Sequence, residues 1–571
     1  MWLSVVPAGQ SSRSSSGPIS RCMLAAVASS SYRRVRLKAR TARARTHSTS
    51  RTMATSSPYQ QLRDELAEID ALSGIEGLLQ WDEQVMMPSG DGAASARAKA
   101  SSALAGVVHA KRTASSLGEL IELCGGRKVT QEKLGADATT FDVANVKRAA
   151  EGFDRASRVP PAMAKKEAEL GSRGYRAWME AKKNSDYSVF APVLKEWVEL
   201  VKERSSLINP GGDPYDTALD DYERGLTSAR LDEIFAPVKA EVSALIKQVY
   251  DVEEGPVALR SVGGKSVLTG DFDAEKQAAL SRQIALEMGF DLTAGRLDVS
   301  AHPFTGGADF TDVRMTTRYK SDDLSEGLTG TIHETGHALY EQGRPREYAG
   351  QPVSQAHSMG VHESQSLLWE RMVALSPDFS TFLLPKLSDA FFGQFDGVTN
   401  DQLHASFNTV KKPSFIRVES DELTYPMHVI LRYELEQGLI KGDVDVDALP
   451  ELWNAKMEEL LGHRPPDDAK GVLQDVHWSA GAIGYFPTYL LGAMYACQIY
   501  ETALTKLPGL EDEIRKGEFA RLREWLNKNV HALGSSFDSA DALLEHVTGK
   551  PLDGEAFVKY LREKYTKLYG L

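Results

Sequence analysis

The chain runs to 571 residues, 42% apolar and 25% charged, with a mean hydropathy of −0.32, the composition of a soluble globular protein long enough for several cores or one large one. Its net charge of −13 is unevenly spread: residues 1–63 carry ten arginines, one lysine and no acid, which leaves 55 basic residues against 79 acidic ones in the rest. So acidic a body argues against nucleic acid as a partner, and Cys22, Cys124 and Cys497 are too few for a disulfide framework or a cysteine metal cluster.

Residues 1–56 are rich in Ser, Ala and Arg, with a basic cluster from Arg33 to Arg45 and no long apolar stretch of the kind a secretory signal needs. They read as a transit peptide for a chloroplast or mitochondrion, ahead of a single folded domain over residues 57–571. Met53 offers an alternative start, which would leave the protein in the cytoplasm.

Beyond the leader, apolar residues recur at helical spacing in 62–78 (Leu62, Leu66, Ile69, Leu72, Ile75, Leu78), 190–201 and 231–249. Together with the Ala-rich stretch 93–110, these make residues 57–300 mostly helix, with Trp81, Met86 and Met87 in the core. Gly263-Gly264-Lys265-Ser266 looks like the end of a phosphate-binding loop, but Leu259 stands where that loop needs its first glycine, so a plain turn is expected. Val313, Met315, Thr317 and Tyr319 alternate with Arg314, Thr316 and Arg318, a short strand whose edge would suit an extended peptide.

Helical periodicity returns after residue 320. Asp443, Asp445 and Asp447 imitate a calcium loop, yet Ala448 replaces the glycine it requires, so Asp447 is expected as a helix N-cap. Residues 479–500 carry no charge and approach the length of a membrane span. Their glycines, Pro487, Gln498 and four tyrosines favour a buried helix lining a cavity instead. Residues 537–570 read as two helices parted by Gly549–Gly554.

The chemistry is concentrated in Thr329–Gly343, where His333, Glu334 and His337 form H-E-x-x-H. On a helix, histidines four apart present their rings on one face, a spacing that suits one zinc ion at about 2.0–2.1 Å from each nitrogen. Glu334 beside them is placed to take a proton from the attacking water. Ile332, Ala338 and Leu339 would bury this helix, and Gly336 would admit another backbone. The same five-residue pattern also fits a buried helix with two hydrogen-bonded histidines, so a third ligand matters. The extended form of the motif is absent, because position 343 is Gly343. Glu363 in His362-Glu363-Ser364-Gln365 is the preferred third ligand, far enough on for an antiparallel helix to return, and His362 is its competitor.

Six ordered motifs now carry a resemblance. His302-Pro303-Phe304, Asp312-Val313-Arg314-Met315-Thr316, His333–His337, His362–Gln365, Ile416–Asp421 and Gly471–Trp478 match H-P-F, D-x-R-x-T, H-E-x-x-H, the element with the third ligand, I-R-x-x-A-D (with Ser420 for alanine) and G-x-x-Q-D-x-H-W. Over residues 57–571 the chain resembles the carboxypeptidase Taq family of zinc metallopeptidases. That resemblance implies a mainly α fold with a deep substrate groove and a small β element beside the zinc helix, a homodimer, and Zn2+ (or Co2+) as cofactor. It implies peptide substrates shortened one residue at a time from their C-termini, with broad preference.

In this reading His333, His337 and Glu363 bind the metal and Glu334 is the general base. His477, Tyr485 and Tyr489 are candidate donors to the oxyanion. Arg417 meets the substrate's terminal carboxylate with Asp421 behind it, and His302 lies on the substrate side. Arg314 is either a second substrate contact or a structural partner of Asp312 or Asp421. The rival functions are a zinc endo-oligopeptidase on the same fold and a non-catalytic peptide-binding protein, against which the intact Glu334 speaks.

Overall fold

The computed structural model describes residues 56–571, so the leader expected at 1–56 falls, but for Ser56, outside the described residues. The expected helical stretches become Pro58–Val85, Asp91–Arg112, Ala191–Ile208 and Ser228–Tyr250. Their apolar stripes go to two places. Leu62, Leu66 and Ile69 close a small core with Ile121 and Val146, whereas Leu194, Trp197, Val238 and Val242 join the main one. Trp81 is buried, as expected, but Met86 and Met87 are not core: they lie past the end of the first helix, Met86 exposed and Met87 half-buried.

Three short strands, β1 (Gly295–Val299), β2 (Thr305–Gly307) and β3 (Val313–Thr317), form a sheet in the order β1-β3-β2. The strand expected near 313–319 is therefore central, parallel to β1 and antiparallel to β2, and offers a peptide no free edge. Its neighbours show weaker patterns: β2 is Thr-Gly-Gly, with no apolar alternation, and β1 offers only Leu297 and Val299 as apolar residues, neither of them fully buried. Val313 and Met315 pack on Ala338 of the H-E-x-x-H helix. Alternation turns Arg314 to the opposite face, where it is bidentate to Asp312 and stacks 4.4 Å above the Trp81 ring.

The H-E-x-x-H helix (Leu324–Gln342) is capped by Asp323, whose carboxylate accepts from the Ser325 and Glu326 amides. A second helix, Met359–Leu367, crosses it and continues into a π-helical turn, Leu368–Ala374. A β-carbon on Gly336 would lie 2.5 Å from the Gln365 carbonyl oxygen, so the two helices touch backbone to backbone there. A methyl at that point is an overpacking of about 1–3 kcal/mol. From the other side comes Pro487–Lys506, whose Gly492 faces the Glu363 side chain. This is the buried helix expected within 479–500, and no described helix is long and apolar enough to cross a membrane.

Asp447 is not the cap it was expected to be. A 3-10 turn, Val446–Ala448, intervenes with Asp445 as its cap, Ala448 precedes the helix Leu449–Leu461, and Asp447 pairs with Lys195 at 2.6 Å. Gly263 ends a short 3-10 helix with φ of 71°, the expected turn, and the last two helices are Ala540–Thr548 and Gly554–Tyr569.

Candidate active site

One turn of helix separates His333 and His337, and the crossing at Gly336 brings Glu363 up to them. Ligand atoms of the three lie within 4.8 Å of one another, with Glu363 Oε2 3.4 Å from His337 Nε2 and 3.9 Å from His333 Nε2. His362 points elsewhere. Its Nδ1 is 2.6 Å from His337 Nδ1, and its Nε2 is 2.8 Å from Glu341 Oε1, which in turn pairs with Arg344. Glu370, one π-helical turn past the crossing helix, holds His333 Nδ1 at 2.7 Å. Both histidines are thus gripped at Nδ1 and present Nε2 to the cluster, the arrangement that orients a metal-binding imidazole.

The charge at this point is lopsided. Three carboxylates, Glu334, Glu363 and Glu370, surround two imidazoles in a buried pocket. Burial opposes a proton on His333, but Glu370, Glu363 and Glu334 outweigh it and raise that ring to about 9. Burial, then His362, pushes His337 down to about 3, so one imidazole is held neutral beside an excess of negative charge. Two nitrogens, one carboxylate oxygen and a surplus of anions fit a divalent cation.

Glu334 is 5% exposed, and burial lifts its carboxyl to about 7. The Thr305 hydroxyl, on β2, donates to Glu334 Oε2 at 2.6 Å, so the sheet beside the helix fixes this carboxylate. Thr305 also lines a cavity of about 820 Å3 between the N-terminal helices and β2, with Asp70, Glu341 and Arg344 in its wall.

A second cluster surrounds Asp475. Arg417 donates to Asp475 Oδ1 from Nε (3.1 Å) and Nη2 (2.8 Å), while Arg432 donates to Oδ2 at 2.7 Å. Asp421, expected behind Arg417, instead accepts from the backbone amides of Lys411, Leu423 and Thr424. The reason is local: Arg417–Glu419 is a single 3-10 turn that ends in extended Ser420, so position 421 is not one α-turn further along the same face. Arg417 lies 4.6 Å from the Tyr489 ring centre, and Tyr489 Oη is 3.2 Å from His477 Nε2. Tyr485 meets Tyr489 edge to face at 5.2 Å. Burial raises both phenols, with Glu363 adding to each, which keeps them protonated. Glu436 pins the loop that carries these groups, accepting from Trp478 Nε1, the Gly484 amide and Tyr215 Oη.

The structure thus joins His333, His337, Glu363 and Glu334 in one cluster and His477, Tyr485, Tyr489 and Arg417 in a neighbouring one. Arg314 is corrected to the structural option, because its guanidinium is spent on Asp312 and Trp81. His302 is exposed on the loop before β2, its ring lowered by partial burial and by Arg318 and Lys182. Sequence reasoning missed Glu370, Thr305 and Asp475 as orienting groups. The seven-residue interval from Glu363 to Glu370, two turns of one helix, was a readable signal, and Asp475 stood inside a quoted motif.

A family model described as carboxypeptidase Taq (M32) metallopeptidase matches residues 61–565. The chain is 37% identical over 527 residues to thermostable carboxypeptidase 1 of Thermus thermophilus, covering 91% of this chain and 100% of that one. It is 37% identical over 508 residues to carboxypeptidase 1 of Bacillus subtilis, covering 89% and 98%. The crystal structure of an M32 carboxypeptidase from Deinococcus radiodurans superposes with a TM-score of 0.85 at 35% identity, over 90% of this chain and 100% of that one. The chain therefore belongs to the carboxypeptidase Taq (M32) family and is a metallocarboxypeptidase, a metal-dependent peptide hydrolase.

Proposed function

We propose that His333, His337 and Glu363 hold a zinc ion, that Glu334 is the general base, and that Arg417 receives the terminal carboxylate of the peptide. The observation behind this reading is the convergence of two Nε2 atoms and one carboxylate oxygen within 4.8 Å, each histidine being gripped at its other nitrogen. Three protein donors of this kind leave the open position a catalytic zinc requires, and cobalt takes similar donors. When bound, the ion supplies Lewis acidity to the scissile carbonyl and lowers the pKa of the attacking water.

The chain's own residues do the rest. Glu334, raised to about 7, removes a proton from the water and hands it to the departing amine nitrogen. Tyr485 and Tyr489 remain protonated donors on the side where the oxyanion develops. His477, held neutral mainly by burial, orients the Tyr489 hydroxyl. Arg417 and Arg432 share the single carboxylate of Asp475, so this buried site keeps one positive charge for an incoming carboxylate. That charge makes the end of the peptide, rather than its middle, the favoured ligand.

The test combines elemental analysis with the order of residue release from a mixed peptide, offered with a free and an amidated C-terminus. Zinc at one equivalent and stepwise release from the free-acid form alone are expected. Equal cleavage of the amidated peptide would replace this reading with an endo-oligopeptidase. The same proposal includes a homodimer, for which light scattering should give twice the mass of the mature subunit, and an organellar address read from the leader.

A further inference from the structure

A cavity of about 630 Å3 is bounded by the π-helical turn Leu368–Ala374, the buried helix Pro487–Lys506 and the last helix, Gly554–Tyr569. Its size is that of an ordinary small-molecule site. Met372, Leu375, Leu504 and Leu568 give it an apolar wall. One charged group in that wall is short of a hydrogen bond. Arg371 is 6% exposed and its guanidinium stacks 4.2 Å above the Tyr425 ring, but its Nη1 meets no hydrogen-bond partner among the described residues. Burial disfavours its charge, but Glu370, Tyr425 and Glu422 more than offset this.

Those two carboxylates are already engaged. Glu370 holds His333, and Glu422 accepts from Lys564 and Tyr560. The buried acid in the wall itself, Asp378, pairs with Arg515. The field of Glu370 and Glu422 keeps Arg371 ionised but leaves Nη1 a buried donor without an acceptor, which is costly unless a ligand supplies one. The rim has the opposite bias, with exposed Asp401, Glu501, Glu511 and Glu563 against exposed Lys559 and Lys567. A simple carboxylate would be repelled at this rim. A molecule with a carboxylate at one end, an apolar body and an ammonium group several ångströms away satisfies floor, wall and rim together.

We propose that this cavity is a second binding site for a short apolar peptide of dipeptide length, entered carboxylate first and anchored on Arg371. It lies apart from the cluster that Asp475 organises, and goes beyond the catalytic assignment. Glu370 and Arg371 are consecutive on one π-helical turn, so a ligand that draws on Arg371 bears on the group that orients His333. The site therefore couples the presence of short peptides, the substance the enzyme consumes and produces, to its metal centre.

The test uses the full metal-loaded chain carrying Glu334→Gln, which prevents turnover, and alanyl-phenylalanine as the probe. Calorimetry should report two sites per chain. Leu504→Trp, which fills the cavity, should abolish one of them, and Arg371→Gln should weaken the same one at least tenfold while the other keeps its affinity. Alanyl-phenylalaninamide should fail to occupy it. A stoichiometry of one per chain, unchanged by Leu504→Trp, overturns the proposal. So does a second site that binds the amide as well as the acid, or that keeps its affinity in Arg371→Gln. The stoichiometry of the parent chain decides the matter even if a cavity variant does not fold.

Discussion

His362 Nδ1 lies 2.6 Å from His337 Nδ1, so the histidine that competed for the role of third ligand stands behind His337, whose Nε2 faces Glu363. Under the proposed assignment, two adjacent residues on one helix, His362 and Glu363, would act on the same ion from different distances. Removing Glu363 deletes a donor, whereas removing His362 only frees a donor to rotate. Glu363→Ala should retain no zinc after dialysis. His362→Gln should bind it about 10–100-fold more weakly, the usual cost of losing an outer partner. Elemental analysis and chelator competition measure both, and equal retention by Glu363→Ala and the parent chain would show that the third ligand is misassigned.

Glu334→Gln should keep both zinc and fold and lose about 10²–10⁴-fold in turnover, because glutamine preserves the shape and the Thr305 contact region but accepts no proton. Near-normal turnover in metal-loaded protein would exclude Glu334 as the base.

Arg417→Ala should reduce kcat/KM for free-acid peptides by an amount equivalent to about 2–5 kcal/mol, since the carboxylate it meets would remain buried beside Asp475. The inhibition constant of an amidated analogue should change little. An equal loss for both ligands would mean that Arg417 serves only to hold Asp475.

Stability should fall in mild acid. Burial is the main cause that keeps His357, His477 and His531 at about 3 and His428 well below its ordinary 6.5. Such groups contribute stability that is present above the unfolded value and lost as pH falls below it. Glu223 and Glu436 act in reverse: burial raises them to about 7, so their contribution is complete at low pH and lost as pH rises toward 7. Between pH 4.5 and 6.5 unfolding takes up protons at these four imidazoles and at His404, which burial lowers to about 4, and the five outnumber Glu223 and Glu436, which give protons up. Urea titrations should show unfolding free energy falling on acidification through this window. His357→Gln should lower that slope by about one proton. A flat profile would mean that these histidines are hydrated in the folded protein.

The leader gives the last prediction. Its Arg and Ser bias and lack of acids imply removal on import, so N-terminal sequencing of protein from its source cells should begin near residue 57. A sequence starting at Met1 would exclude a cleaved transit peptide.

The helices, the H-E-x-x-H face and the order of the motifs were legible in the chain because each depends on residues within a turn or two of one another. Helical geometry alone puts His333 and His337 on one side. The interval from Glu363 to Glu370 belonged to the same local arithmetic, although only the π-helical turn shows where Glu370 ends up. What lies across the fold was decided by packing. The backbone contact at Gly336 selects Glu363 over His362, since the angle of that crossing determines which of two neighbouring side chains reaches the cluster. The partner of Arg417 is Asp475 from a distant segment, rather than nearby Asp421, because a 3-10 turn redirects the chain between Arg417 and Asp421. The strand at 313–317 lost its expected free edge to two weakly patterned strands, and the middle position they gave it is what sets Thr305 against Glu334. Periodicity records which face of an element is buried, but which face it is buried against depends on contacts between residues far apart in sequence, and these exist only once the chain has folded.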